Sequence, residues 1–230
     1  MNKYELTIKD LSKINTNILP KDASIHLTDK IGNVSPFEIA PKLLNNSITI
    51  TFGLRNHYHL GKLELITKDL DSYLEGIKKN INIKELLIVS GSSRGVVDSI
   101  AMLDYLDSIK NTIEVGVAYN CCIEDQDEEN TRLTQKLKHE FVKSVYIQIT
   151  DNLEAIERGI KFIKSIRKEV VIAVCMIKPS KSLLNSMKLR PWKGVKLSSE
   201  FLNNIEKAQS INTLNARQLT KNNVNFLWTI

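Results

Sequence analysis

Glu85-Leu86-Leu87-Ile88-Val89-Ser90-Gly91-Ser92-Ser93-Arg94-Gly95, followed after a helical stretch opening near Val96 by Ile113-Glu114-Val115-Gly116-Val117-Ala118, decides the fold. Two β-rich runs stand on either side of a helix, and parallel neighbours need such a crossover where antiparallel ones need only a hairpin. The alternation continues in both directions. Further strand-like runs are Tyr4–Ile8, Ala23–Thr28, Ile48–Phe52, Ser144–Ile149, Val170–Met176 and Val224–Thr229. Between them lie amphipathic stripes at three- and four-residue spacing: Leu63, Ile66, Leu70, Tyr73, Leu74 and Ile77; Leu133, Leu137 and Phe141; Ile156, Ile160, Ile163 and Ile166.

Eight strands point to a closed (β/α)8 barrel over residues 1–230 as one domain, with an open doubly wound sheet as the alternative. No GxGxxG follows the first strand, which weighs against the open dinucleotide-binding sheet. The last strand closes the sequence, so Ile230 is expected near the carboxyl-terminal mouth. The connection from Pro179 to Asn223 is long, with an irregular loop at Pro191-Trp192.

Composition narrows the function. With 42% hydrophobic and 25% charged residues the chain is an ordinary globular one. A net charge of +6 favours anionic ligands. The lysines are scattered along helices beside acids, which argues against a nucleic-acid stripe. Cys121, Cys122 and Cys175 make no disulfide framework, so a reducing cytoplasm is expected. No apolar run is long enough to span a bilayer and no signal peptide opens the chain, so no membrane partner is expected.

Several strands carry polar residues on one phase. Glu5 and Thr7 oppose Tyr4, Leu6 and Ile8; His26 and Thr28 oppose Ile25 and Leu27; Thr49 and Thr51 oppose Ile48, Ile50 and Phe52; Tyr146, Gln148 and Thr150 oppose Val145, Ile147 and Ile149. In a barrel one phase faces the helices and must be apolar, whereas the other faces a lumen that is polar near its mouth. A carboxylate in the first strand is costly to bury unpaired, so Glu5 is a candidate proton donor. Ser90-Gly91-Ser92-Ser93-Arg94-Gly95 at a helix start has the parts of an anion-binding turn. His57 and His59 share no carboxylate or cysteine at metal-ligand spacing, so no metal is expected. No partner histidine is identifiable for Cys121-Cys122, so the sequence supports no cysteine nucleophile.

Taken in order, Tyr4-Glu5-Leu6-Thr7, Ile25-His26-Leu27-Thr28, Leu54-Arg55-Asn56, Leu87-Ile88-Val89-Ser90-Gly91, Val117-Ala118-Tyr119, Lys138 and Tyr146-Ile147-Gln148 resemble the methylenetetrahydrofolate reductases, especially their short bacterial relatives. The resemblance implies a (β/α)8 barrel that binds FAD and carries electrons from NADH or NADPH to methylenetetrahydrofolate, in one-carbon metabolism and methionine biosynthesis. It implies Glu5 as the acid that protonates folate N10, with Gln148 contacting folate and nicotinamide. Thr28, Ser90, Gly91, Ser92, Tyr119 and Lys138 would line the flavin, and Arg55 and Asn56 would join Gln148 at the substrate. Ser92 stands where the family has an aspartate, and Asn120-Cys121-Cys122 where it has Pro-Glu. A flavin-free folate-binding protein or partner subunit is therefore the alternative, and assembly is left between homo-oligomer and partner subunit.

Overall fold

A computed structural model describes residues 2–6, 24–29, 35–56, 62–90 and 97–229. Eight parallel strands close into a barrel in sequence order: β1 (Asn2–Leu6), β2 (Ser24–Leu27), β3 (Ser47–Gly53), β4 (Ile83–Val89), β5 (Glu114–Tyr119), β6 (Val142–Ile147), β7 (Val171–Ile177) and β8 (Asn225–Thr229). Closure rests on β1, which pairs with β2 through Glu5↔His26 and with β8 through Glu5↔Thr229. The helices are α1 (Pro36–Ile39), α2 (Leu63–Lys79), α3 (Ser99–Ser108), α4 (Gln126–Lys136), α5 (Leu153–Ile166), α6 (Lys181–Leu189), α7 (Ser199–Asn203) and α8 (Ile205–Leu219). Ile230 lies outside the described residues, so the expectation for its position finds no test here.

Strand alternation builds the two layers. Ile25, Leu27, Ile48, Ile50, Phe52, Leu86, Ile88, Val115, Val117, Val145 and Ile147 point outward and join the helices in the main core. On α2 the matching stripe is Ile66, Leu70, Leu74 and Ile77; on α5 it is Ile156, Ile160 and Ile163. Side-chain oxygens hold the helix starts: Asp98 accepts from Ile100 and Ala101 N–H, Asp125 from Glu128 N–H and Asn152 from Ala155 N–H. Each such cap contributes about 1 kcal/mol.

Two sequence expectations need adjustment. The stripe ending at Phe141 overruns α4, which stops at Lys136. Phe141 instead opens the β5–β6 ladder, its carbonyl accepting from Val115 N–H at 3.0 Å, and barrel pairing outcompetes another helical turn. The 179–223 connection is irregular around Pro191-Trp192 but otherwise forms α6, α7 and α8 over a small core of Leu184, Phe201 and Ala208. Asn212 Nδ2 donates to Ile177 O at 2.6 Å and ties α8 to the end of β7.

The inward phase forms a second cluster of Leu87, Tyr146, Ala173 and Leu227, with Val89 and Cys175 beside it. Among these apolar groups sits Glu85, 7% exposed. Its carboxylate accepts from Thr49 Oγ1 at 2.8 Å, from Tyr146 OH at 2.5 Å and from Ser144 Oγ. Gly116 leaves the space this network needs. A Cβ there would lie 2.7 Å from Tyr146 Cε2, 2.8 Å from Ser144 Oγ and 3.1 Å from Glu85 Oε1. Gly116→Ala is therefore expected to destabilise the fold by about 1–3 kcal/mol in urea unfolding, the usual cost of overpacking. A change within experimental error would show that the lumen relaxes around the methyl group.

Candidate functional site

The carboxyl ends of β1, β2 and β3 bring Glu5, His26 and Thr51 into one row. Each lies on the inward phase, so the alternation that buries Ile25 and Ile50 outside the barrel aims these polar groups inside. His26 Nε2 lies 2.6 Å from Thr51 Oγ1, and Nδ1 lies 3.3 Å from Glu5 Oε2. The Nδ1 contact is at ion-pair distance, yet its alignment falls short of a hydrogen bond and leaves the buried Nδ1 without a well-formed partner. With the ring proton on Nδ1 it faces the carboxylate, and Nε2 then accepts from the Thr51 hydroxyl. The side chain of His26 is 4% exposed and that of Glu5 21%, so a buried imidazole stands between the half-buried Thr51 hydroxyl and a carboxylate within reach of solvent. Tyr146 supports the imidazole from below, with ring centroids 6.0 Å apart.

Around this row the ends of β2 and β3 are locked by Asp29. Its carboxylate accepts from Gly53 N–H at 3.1 Å, from Asn56 Nδ2 at 2.8 Å and from the Tyr73 hydroxyl of α2. The Asn56 amide, expected at the substrate, thus spends its donor on the scaffold. Thr28 is half-buried just beyond β2. Ser90 also serves the frame: its hydroxyl donates to Ser99 Oγ at 2.7 Å and accepts from Ser99 N–H at 2.9 Å, fastening the end of β4 to α3. Gln148 extends the β5–β6 ladder, its N–H donating to Tyr119 O at 2.8 Å. The loop before α7 passes over it. Asn120 Nδ2 donates to Gly194 O at 2.9 Å, and Gly194, with φ of +81°, lies where an added Cβ would be 3.7 Å from Gln148 Nε2. That positive φ is the conformation glycine adopts without steric cost.

Two expected flavin contacts do not face this mouth. Lys138 sits in the turn between α4 and β6, in a shallow groove with Glu114 and Lys143, at the amino-terminal end of the barrel. Because α4 ends two residues earlier, it is Lys136 that is buried, donating to Ala118 O at 3.0 Å. Tyr119 shares the outward phase of Val115 and Val117. It stacks on Phe162 of α5, with centroids 6.4 Å apart, and its hydroxyl donates to Asn130 of α4 at 2.8 Å. Gly91, Ser92, His57 and His59 lie outside the described residues, as does the side chain of Arg55. Among the described residues no group of three or more His, Cys, Asp or Glu is placed to hold a metal ion, and no helix is long and apolar enough to cross a membrane.

No protein-family model matches the sequence, and no curated protein matches it. A solved structure does match: an uncharacterized protein from Clostridium thermocellum that binds two copies of 5-methyl-5,6,7,8-tetrahydrofolic acid. It superposes with a TM-score of 0.64 at 12% identity, over 100% of this chain and 88% of that one. The likeness is one of fold.

His26 is the residue that sequence reasoning passed over. The signal was present, since it shares the polar phase of β2 next to the strand of Glu5. Three tyrosines, Tyr119 and Tyr146 buried and Tyr73 half-buried, give the site region a pH signature. Burial, followed by the Asp29 contact, raises Tyr73; burial, followed by the charge of Cys121, raises Tyr119; burial, followed by the Glu85 charge, raises Tyr146. A tyrosine raised in the folded state keeps its proton where the unfolded chain has lost it. The three therefore leave stability untouched below about pH 10 and reduce it as pH rises beyond. Lys136, lowered by burial, runs the other way but is a single group. Urea midpoints should accordingly fall between about pH 9 and pH 11; a flat or rising profile would contradict the burial of these phenols.

Proposed function

We propose that the carboxyl-terminal mouth of the barrel binds a reduced one-carbon folate, of the methylenetetrahydrofolate and methyltetrahydrofolate pair, and that Glu5 is the proton donor to it. The observation that carries this reading is the row Glu5–His26–Thr51, a partly exposed carboxylate backed by an imidazole on the lumen side of three adjacent strands. That arrangement suits a group which must deliver a proton to a ligand nitrogen and recover it afterwards. The row also matches the role that the resemblance to methylenetetrahydrofolate reductases implies for Glu5 at folate N10. The Clostridium thermocellum protein of the same fold, which binds 5-methyltetrahydrofolic acid, supports folate as the ligand class. Gln148 beneath Gly194 offers an amide to the pterin edge, and the net charge of +6 suits the carboxylates of a folate tail.

The mouth fits a flavin less well than a folate. FAD, reduced by NADH or NADPH, would supply the electrons for interconversion. Of the residues expected to cradle it, Lys138 stands at the opposite end of the barrel and Tyr119 turns into the helix layer. The hydroxyl of Ser90 is engaged with α3. No proton step proposed here runs through the flavin. This misfit favours a second reading, a flavin-free folate-binding protein or partner subunit built on the same barrel.

One preparation separates the two. A yellow protein, absorbing near about 450 nm and bleached by anaerobic 5-methyltetrahydrofolate, would be the oxidoreductase. A colourless protein that binds the folate would be the binding form, and a protein that binds neither would end both readings. If turnover is present, Glu5→Gln is expected to slow the folate half-reaction by at least about 100-fold, within the range general acid catalysis supplies. Flavin reduction by the nicotinamide should then stay intact; equal loss in both half-reactions would assign Glu5 a structural role.

A further inference from the structure

The cysteine pair that the sequence leaves without a partner histidine stands in a cleft of about 960 Å³ on the outer rim of the barrel. This cleft lies between the ends of β5 and β6, the start of α5 and the strand-like residue Lys196. It is separate from the Glu5 row, because Tyr119 and its neighbours face the helix layer while Glu5 faces the lumen. Close approach of α5 shapes its floor: at Gly159 an added Cβ would lie 3.0 Å from Tyr119 Cε1 and 3.2 Å from Cys121 Cβ. Cys121 is buried and Cys122 half-buried, and neither forms a disulfide.

The groups around Cys122 are those that favour a thiolate. Its backbone N–H donates to Asn120 Oδ1 at 3.0 Å, which fixes the turn and aims the sulfur at Thr150, 3.4 Å from Sγ to Oγ1. Thr150 Oγ1 accepts from the Cys122 thiol and from Asn152 N–H at 3.2 Å, and once the thiol has lost its proton the Thr150 hydroxyl is the donor within reach of the sulfur. The neighbouring Cys121 thiol also bears on this sulfur. Lys196 and Arg158 add positive charge, and the Arg158 contact with Glu154 is an exposed 3.9 Å pair too loose to cancel it. The acid on the cleft wall, Asp151, is held by Ser198 through its N–H at 3.1 Å and its hydroxyl. Cys122 is lowered, first by Cys121 and then by Thr150, Lys196 and Arg158, against an opposing effect of burial that is second only to that of Cys121. Cys121 moves up, because its proton is shared with Cys122 and its sulfur is buried.

We propose that Cys122 is a nucleophilic thiolate and that this cleft is a modification site for small anionic disulfides, held by Arg158 and Lys196 while Cys122 forms a mixed disulfide. The Cys122 sulfur attacks one sulfur of the incoming disulfide, the S–S bond breaks, and the other sulfur departs as a thiolate. One disulfide is consumed and one is made, so no outside oxidant or reductant enters. Cys121 keeps its proton and remains a donor, so the mixed disulfide persists rather than closing onto Cys121.

The test uses the folded chain with two disulfides of opposite charge, dianionic 5,5′-dithiobis(2-nitrobenzoate) and dicationic cystamine. The labelled peptide is identified by mass spectrometry in wild type and in Cys121→Ser, Cys122→Ser and Cys175→Ser. The first equivalent should fall on Cys122, and its rate should rise with pH through a midpoint below that of a free thiol, about 8.5. Relative to free cysteine, the anionic reagent should be preferred by about tenfold or more, the lower range of focusing by an oppositely charged cleft. Arg158→Gln with Lys196→Gln should erase that preference while labelling stays on Cys122, and Thr150→Val should move the midpoint upward. First labelling at Cys175 or Cys121, a free-thiol midpoint, or indifference to reagent charge would each overturn the proposal. Glu5→Gln should label at the wild-type rate, so this result stands apart from the folate reading.

Discussion

A carboxylate inside a closed barrel must be met by donors, and Glu85 sets the terms for everything above it. Its oxygens take the hydroxyls of Thr49 on β3 and of Ser144 and Tyr146 on β6. Leaving a single such group unsatisfied costs about 1–3 kcal/mol, so the register of β3, β4 and β6 and the absence of a side chain at Gly116 are fixed together. Tyr146, held by Glu85, presents its ring to His26, and His26 in turn stands between Thr51 and Glu5. The polar order thus runs from the barrel floor to its mouth, and the Glu5 carboxylate is its exposed terminus.

The helix layer answers to the opposite constraint. Outward-facing strand residues must be apolar, and where a polar one occurs it finds a fixed partner, as Tyr119 does in Asn130; just beyond β2, Asp29 likewise finds Tyr73. Residues near the mouth therefore divide into two kinds. Asp29, Asn56 and Ser90 are spent on the frame, whereas Glu5 and Gln148 are left toward the lumen, and Cys122 looks into a separate cleft on the rim.

The strands were legible in the sequence because each is a short β-rich run, and the inward phase of Glu5, Thr49, Tyr146 and Gln148 followed from simple alternation. The outward phase of Tyr119 was equally legible, since it sits two residues from Val117 and four from Val115. Resemblance to a family assigned it to the flavin instead, and the period-two rule was the better guide. The resemblance assigned Lys138 to the flavin as well, and the local pattern does not show that it lies at the other end of the barrel. The stripe Leu133, Leu137 and Phe141 reads as a longer helix, yet strand pairing at Phe141 is a tertiary effect that no local pattern records. Nor does sequence show that Thr150, some 28 positions away, would meet Cys122.

The proposed folate site at the carboxyl-terminal mouth is tested most directly by hydrogen–deuterium exchange with and without 5-methyltetrahydrofolate. Protection is expected in peptides containing His26–Asp29, Thr51–Gly53 and Gln148, with Glu5→Gln retaining the same pattern. Protection centred on Glu114 and Lys138–Lys143, or none at saturating folate, would contradict a ligand site at the carboxyl-terminal mouth.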